Sequence, residues 1–467
     1  MISTGKKENW KNAVIFCGDK EKKAADLYWI DTGRGWKYRM EQKEGNVLYI
    51  CFEHGPDIRQ LRESMAGAAY AMKQAGVTEY GVDVGSVRNI SARQCLMAVA
   101  EGVYTGNYKI TLPGKAGGRL PDVTVDGIAD IEDADLKEAV CLAETQTWVR
   151  DLVNAPGNML RPMDFARAVM MKMENVPVEC ELLVCGTLND IGMHALTGVG
   201  GSSENPSCML ILRYRGADGE PVAGLVGKGV TCDTGGYCLK SAKSMQGIKG
   251  DMAGGASVAG AVYALASQRA RINVTAVIPM CENRIGPLSL VPGDVIDSYS
   301  GKLIEIRDTD AEGRLIMGDA VSWLVQNENV SFVLDIATLT GSVVSALGFT
   351  TAGVVSDDDK LFEEFMRGAQ VSGERYWRLP FYEEQEEMLK SSIADIRNLG
   401  EDYCGTITAG LFVRAFAQQK PWIHLDIAGT AWTDKPLYPG QPSGATGAGM
   451  TSIYHMLAGG EKTCFQK

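Results

Sequence analysis

Short apolar runs alternate with helix-length amphipathic stretches along most of the chain. Near the amino terminus, NAVIFC (12–17) and NVLYICF (46–52) are apolar runs of strand length. Between CFEHGP and GVTEYGVDV the pattern changes period. Ile58, Leu61, Met65, Ala68 and Met72 recur at spacings of three and four, which predicts a helix, with Pro56 before it and Gly76 closing it. LPGKAGGRLP, Leu112 to Pro121, is rich in Gly and Pro and reads as a linker. DADLKEAVCLAETQTWVRDLVN then predicts a connecting helix that ends near Asn154, because Pro156 cannot continue it.

Beyond that helix the alternation resumes on a larger scale. CELLVCG, CMLILRYRG, VAGLVGKG, INVTAVIPM, KLIEIR, FVLDIATL and WIHLDIAG read as strands, with helices between most of them. The expected fold is α/β. A small N-terminal α/β domain (1–120) is followed by a linker strand and connecting helix (121–154). A larger C-terminal catalytic α/β domain (155–467) carries a mixed, largely buried sheet flanked by helices. No repeat or low-complexity tract interrupts the pattern.

Composition narrows the class. The chain has 467 residues, more than one ordinary core holds, and is 45% hydrophobic and 22% charged, a soluble globular balance. No apolar run reaches the length of a membrane span, and MISTGKKENWKNAVIF lacks a secretory apolar region; the expectation is a cytoplasmic protein. A net charge of −12 argues against nucleic acid as the main partner. Twelve scattered cysteines without a CxxC read as buried, reduced thiols, and four separated histidines leave little material for a His-based metal site or a Ser-His-Asp triad.

Candidate chemistry lies in acids and lysines. In DTDAEGRL, Asp308, Asp310, Glu312 and Arg314 occupy every second position, between apolar segments that look buried. If the segment is extended, these side chains share one side and their negative charges repel, which requires a cation among them. The segment is placed on the loop between the strand KLIEIR and the helix LIMGDAVSWLVQ, at a strand's carboxyl end, where open α/β sheets bind ligands. A capped turn with solvated charges is the alternative for this loop alone. Upstream, GLVGKGVTCDTGGYCLK carries Lys228, Asp233 and Lys240. Its glycines let the backbone approach something closely, but GKG lacks the spacing of a P-loop. GIKGDMAGGASVAGAV places Asp251 before a helix of small residues, where alone it would serve as a cap. Together, Asp233, Asp251, Asp310 and Glu312 supply four charges that two divalent cations would neutralise. Oxygen donors without Cys or His favour Mg²⁺, Mn²⁺ or Zn²⁺. A lysine could join them only as the neutral amine.

The order VGKGVTCDTGG, DMAGGA, DTDAEGRL and DIATLTG resembles the leucyl (cytosol) aminopeptidase family, and weaker similarity runs from RDLVNAPGN through GERYWRLP, HLDIAGT and GATG. It covers about two-thirds of the chain and leaves the first 110 residues unmatched by motif. The resemblance implies a two-metal exopeptidase that removes the N-terminal residue from peptides. Asp233 and Glu312 would bridge the ions, Lys228 and Asp251 would complete one, and Asp310 the other, with Mn²⁺ or Zn²⁺, and Mg²⁺ or Co²⁺ as further options. The paired ions would lower the pKa of a bridging water. Lys240 matches the catalytic lysine. Arg314 matches the catalytic arginine, which holds a bicarbonate ion. Its competing reading is a salt bridge to a neighbouring carboxylate. Thr338, Leu339 and the amide of Gly341 fall in the substrate pocket. Ile248 stands where many members have Met, which suits an apolar first residue such as Leu or Met. Asp308 replaces the usual Asn, Thr234 a common Ser, and Gly250 a larger residue. The resemblance also implies a homohexamer, a dimer of trimers. The competing functions are another two-metal hydrolase, such as a phosphatase, and a nucleic-acid-binding role of the N-terminal domain. The aromatics of RYWRLPFY read as loop packing, and EEQEE (383–387) as a solvated helix face.

Overall fold

A computed structural model describes residues 1–6, 10–17, 29–42, 44–113, 115 and 118–459. Positions 114, 116 and 117 of the expected linker lie outside the described residues. The chain forms two compact units: Met1–Thr147 with Val371–Gly373 and Thr433–Gly444, and Trp148–Gln370 with Glu374–Trp432 and Ala445–Lys467. The division falls inside the helix Asp133–Asn154.

The first unit holds a seven-stranded sheet. Across it run Ile2–Thr4, Asp122–Asp126, Glu79–Asp83, Ala13–Phe16, Asn46–Phe52, Trp36–Gln42 and Ile30–Asp31, the first five parallel and Trp36–Gln42 antiparallel to both its neighbours. The stretch after the Gly/Pro-rich segment therefore adds a strand to this sheet. The helices Ile58–Gln74 and Ala92–Asn107 open on capping boxes, Asp57 with Gln60 and Ser91 with Gln94, which satisfy amides that the first turn leaves unpaired. They pack where Gly102 and Gly106 face Met65, Ala66 and Ala69. A Cβ on Gly106 would lie 2.2 Å from the Ala66 carbonyl oxygen, so only glycine allows this approach.

The second unit is built on a nine-stranded mixed sheet. In order run Tyr376–Arg378, Ala352–Ser356, Trp422–Asp426, Val330–Ala337, Val222–Gly227, Asn273–Asn283, Cys208–Arg215 and Val178–Val184, while Gly229–Asp233 extends alongside the far half of Asn273–Asn283. The four central strands are parallel, and antiparallel strands flank them. All eleven residues of Asn273–Asn283 are buried, as a strand covered on both faces requires. One covering helix, Ala253–Ser267, is almost wholly small or apolar and buried nearly throughout. It approaches the sheet through glycines: a Cβ on Gly254 would fall 2.1 Å from the Ile336 carbonyl oxygen. On another side, Glu312–Asn327 packs against His194–Val199 and Gly405–Arg414 around Leu315, Ile316, Phe412 and Phe416.

The sheet expected for one strand changes. KLIEIR does form a strand, Leu303–Glu305, but it belongs to a separate three-stranded sheet with Val295–Asp297 and Ile396–Arg397. The apolar pattern shows that Ile304 is buried, not in which sheet it pairs.

Candidate active site

The parallel strands end at one edge, and the candidate residues gather there. Lys228 follows Val222–Gly227, Asp233 ends Gly229–Asp233, Thr338 and Leu339 follow Val330–Ala337, and Asp426 ends Trp422–Asp426. The carboxyl edge of a parallel sheet is where such folds bind ligands. Asp251 lies on the 3₁₀ helix Ser244–Met252, and Glu312 is the first residue of its helix. The acidic octapeptide is therefore not extended. Asp308 to Ala311 form a turn in which the Asp310 amide donates to Asp308 Oδ1 at 2.8 Å, and the helix begins at once. The regular spacing of charges is real, but a turn and a helix, not strand alternation, bring them together.

Two lysines stand among four carboxylates. Lys228 Nζ lies 2.8 Å from Asp251 Oδ2 and 2.8 Å from Glu312 Oε1, and donates to the Thr338 carbonyl at 3.2 Å. Lys240 Nζ lies 2.6 Å from Asp233 Oδ2 and also pairs with Asp310. Asp233, Asp310 and Glu312 each bring one carboxylate oxygen within 4.8 Å of the others. Asp233, Glu312 and Lys228 are buried. A phosphate cradle at GKG is incompatible with these surroundings: Lys228 is committed to carboxylates, and Gly227 serves close packing, since a Cβ there would lie 2.6 Å from the Gly254 carbonyl oxygen.

The charges perturb one another strongly. Burial and then repulsion from Asp233 push the Glu312 carboxyl up, although Lys228 and Lys240 oppose this. The Asp251 carboxyl is raised by burial, with Lys228 opposing. Burial and Asp233 raise Asp310 to about 7. Burial disfavours the Lys228 ammonium, but Asp251, Glu312 and Asp233 outweigh it and hold the proton firmly. Lys240 behaves alike, with Asp233 and Glu312 prevailing over burial. Carboxylates held above their ordinary range by one another mark a site short of positive charge.

The donor set fits divalent cations. Glu312 Oε2 is buried and has no hydrogen-bond partner among the described residues, and Oε1 has only its ion pair with Lys228. An orphaned buried carboxylate oxygen is costly unless something positive meets it. Asp233, Asp251, Asp310 and Glu312 supply the hard oxygen ligands such an ion prefers.

A cavity of about 590 Å³ opens beside this cluster, lined by Lys228, Asp233, Lys240, Asp251, Asp310 and Arg314. Ile248, Thr338, Leu339 and Gly341, each expected from the sequence, also line it. Thr338 Oγ1 donates to Asp251 Oδ1 at 2.8 Å. The buried Arg314 guanidinium is lowered to about 10 by burial, against the pull of Glu312, Asp308 and Asp426. Its Nε and Nη1 have no hydrogen-bond partner among the described residues, and no ion pair of Arg314 is found there. The departures are mild. Asp308 accepts the Asp310 amide as an asparagine oxygen also could. Thr234 Oγ1 donates to the Asn283 carbonyl at 2.8 Å, which serine could do. A Cβ on Gly250 would sit 3.5 Å from Trp432 Cε3, an ordinary contact.

Other residues carry the site without showing in the sequence. Asp426 Oδ1 accepts from the Leu339 amide at 3.1 Å, and Oδ2 from Thr340 Oγ1 at 2.6 Å, so one buried carboxylate shapes the pocket loop. Asn283 and Asn398 hold the acidic turn. Trp432 adds an indole to the cavity wall. Asp335 and His424 form a buried pair within the sheet. A polar residue at a strand end is too common a pattern to mark any of these. The aromatic segment is not the packed loop expected: Tyr376–Arg378 is a strand at the end of the main sheet with Tyr376 buried, while Trp377 is 65% and Tyr382 66% exposed. Glu383–Glu387 is an exposed helical turn. Burial pushes the thiols of Cys95 and Cys208 up to about 12, as inert reduced cysteines require.

A mixed sheet that gathers carboxylates and lysines at its carboxyl edge defines an α/β protein whose acidic cluster could hold a cation. Residues 147–454 match the model of the cytosol aminopeptidase family, catalytic domain, and the chain belongs to that family. It is an aminopeptidase, a hydrolase. The chain is 37% identical over 409 residues to the probable cytosol aminopeptidase of Clostridium perfringens, covering 85% of this chain and 82% of that one. It is 35% identical over 469 residues to that of Treponema denticola, covering 98% and 95%. Among solved structures, the bottromycin maturation enzyme BotP in complex with Mn superposes with a TM-score of 0.86 at 28% identity, over 96% of this chain and 99% of that one. No helix of the described residues is long and apolar enough to cross a membrane.

Proposed function

We propose that the protein is a two-metal aminopeptidase that releases Leu, Met and other mainly apolar residues from the amino termini of cytoplasmic peptides. The observation that carries this reading is the buried Glu312 carboxylate, with one oxygen orphaned, facing Asp233 and Asp310 within 4.8 Å. Lys228, Asp233, Asp251, Asp310 and Glu312 would hold two divalent cations, Mn²⁺ or Zn²⁺, with Mg²⁺ or Co²⁺ as further options. BotP, a relative by structure, is described in complex with Mn. When bound, such ions supply Lewis acidity and acidify water near neutral pH.

The chain's own groups do the rest. Lys228 would ligate as the neutral amine, giving up the proton its carboxylate neighbours now hold in place. Lys240, on the cavity wall, would offer an N–H to the oxyanion that develops on the scissile carbonyl. Arg314 presents two unpartnered N–H donors in a buried setting, a site for a bicarbonate ion that would move the proton. Ile248, Leu339 and Thr338, with Gly341, would receive the first side chain. An apolar wall separates close homologues by only about 1–3 kcal/mol, so the preference is broad. Family membership favours this reading over phosphoester hydrolysis, and the acidic balance gives nucleic acid little purchase. The subunits assemble as a homohexamer, a dimer of trimers, as the family resemblance implies.

The experiment is to strip the protein with chelator and restore Mn²⁺, Zn²⁺, Co²⁺ or Mg²⁺ singly against a panel of aminoacyl-anilides. Activity returns with at least one ion and is highest on apolar residues. No cleavage with any ion would defeat the proposal.

A further inference from the structure

We propose that Asn283 is a positioning residue that holds the two halves of the metal centre in register, with Asn398 gripping one half from the other side. The inference rests on the metal-binding reading above. Asp233 comes from a strand end of the main sheet, whereas Asp310 lies in the turn, and Glu312 at the helix start, that follow a strand of the separate three-stranded sheet. No ladder of strand hydrogen bonds joins these halves.

Asn283 does so through one side chain. It ends the strand Asn273–Asn283 and is 5% exposed. Its Nδ2 donates to Asp233 Oδ1 at 2.9 Å and to the Thr309 carbonyl at 3.0 Å. Both partners are acceptors, so the amide nitrogen must face them and the carboxamide has one satisfactory orientation. The Gly235 amide also donates to Asp233 Oδ1, at 2.9 Å. That oxygen is therefore occupied, and Oδ2 is the one turned toward Lys240. Space around the carboxamide is tight: a Cβ on Gly236 would lie 2.9 Å from Asn283 Oδ1. Asn398, fully buried, secures the rest of the turn. Its Oδ1 accepts from the Arg307 amide at 2.8 Å, and its Nδ2 donates to the Asp308 carbonyl at 2.6 Å. Lys240, paired with Asp233 and Asp310, and Thr309 Oγ1, which donates to the Gly235 carbonyl at 2.6 Å, also span the halves, but of these links only the Asn283 carboxamide holds a ligand oxygen of Asp233 and the backbone of the acidic turn with one group that cannot ionise.

The same strand supplies a matched control. Asn273, at its other end, is also 5% exposed and donates to the carbonyls of Ala217 and Glu220, away from the site. Mn²⁺ binding to the full-length apo protein is measured by calorimetry and by the EPR signal of free Mn²⁺, for wild type, Asn283→Ala, Asn398→Ala and Asn273→Ala. Partners that orient metal ligands typically contribute 10–100-fold in affinity. Asn283→Ala should weaken Mn²⁺ binding by about that factor. Asn398→Ala should shift it the same way, and decides the question if Asn283→Ala does not fold. Asn273→Ala should lower thermal stability while leaving Mn²⁺ affinity at the wild-type value. Wild-type affinity in both Asn283→Ala and Asn398→Ala, or an equal loss in Asn273→Ala, overturns the inference alone. A wild-type protein that takes up no Mn²⁺ overturns the metal reading and this inference with it.

Discussion

Lys240 is flanked by Asp233 at 2.6 Å and by Asp310, and its ammonium is held charged by both. Nothing about a lysine in the stretch GGYCLK distinguishes it from a surface lysine. The family resemblance singles it out, and in the fold its side chain is 20% exposed beside the cavity, against 3% for Lys228. Removal of one preorganised oxyanion donor typically costs 10²–10³ in turnover. Lys240→Ala should therefore lower kcat on leucine-anilide by about 10²–10³-fold with a smaller change in KM. Steady-state kinetics of the metal-loaded variant checks this, and an unchanged kcat would remove Lys240 from the chemistry. Asp233, Asp251, Asp310 and Glu312 were legible as residues because acids rarely recur so densely beside apolar segments. Asn283, Asn398 and Asp426 were not, because a single neutral or acidic residue at a strand end has no pattern of its own.

Elements are joined by buried polar groups as well as by apolar packing. Asp319, on the helix Glu312–Asn327, accepts from the Leu196 amide at 2.9 Å with Oδ2 and from the Tyr299 amide at 2.8 Å with Oδ1. It thereby ties the helix His194–Val199 and the turn after Val295–Asp297 to the helix that starts at the site. Burial raises its carboxyl from the ordinary 3.8 to about 7, with the amides of Tyr299, Leu196 and Ala195 opposing. The folded protein therefore holds this proton over a range where the unfolded chain has lost it. Stability from this group is fully present below about pH 4 and is lost as pH rises toward 7. The total is on the order of 4 kcal/mol. Denaturant unfolding of the metal-free protein across this range should give a flatter pH profile for Asp319→Asn than for wild type. Parallel profiles would show that Asp319 is ionised throughout. The helix itself was readable from its apolar spacing, but the partners of a charge on its buried side were not.

At the scale of the whole molecule, several large apolar side chains of the second unit lie open to solvent. Leu288 is 72%, Trp377 65%, Tyr382 66% and Ile393 60% exposed. Apolar groups left in water in this number commonly mark contact surfaces between subunits. Six copies of a 50.3 kDa chain make a particle of about 300 kDa, the size that closed dihedral symmetry of a dimer of trimers requires. Light scattering on the purified protein should return that mass, and a monomer at all concentrations would exclude the hexamer.

Local order was written in the sequence. The helix Ile58–Gln74, the helix Asp133–Asn154 and six strands of the main sheet fall where apolar periodicity places them, because periodicity reports which face of an element leaves water, whereas Ala352–Ser356 and Tyr376–Arg378 of the same sheet were not read from it. Asp233, Asp251, Asp310 and Glu312 stood out as a group, since gathered like charges demand compensation, whereas Lys240 and Asp426 carried no pattern of their own. Pairing was left to the folded state. The short strand Leu303–Glu305 entered a small separate sheet, the octapeptide became a turn and a helix, and two carboxamides distant in sequence came to hold that turn. Those outcomes depend on hydrogen bonds and close approaches between segments far apart along the chain, and no local pattern encodes which distant partner will satisfy a given polar group.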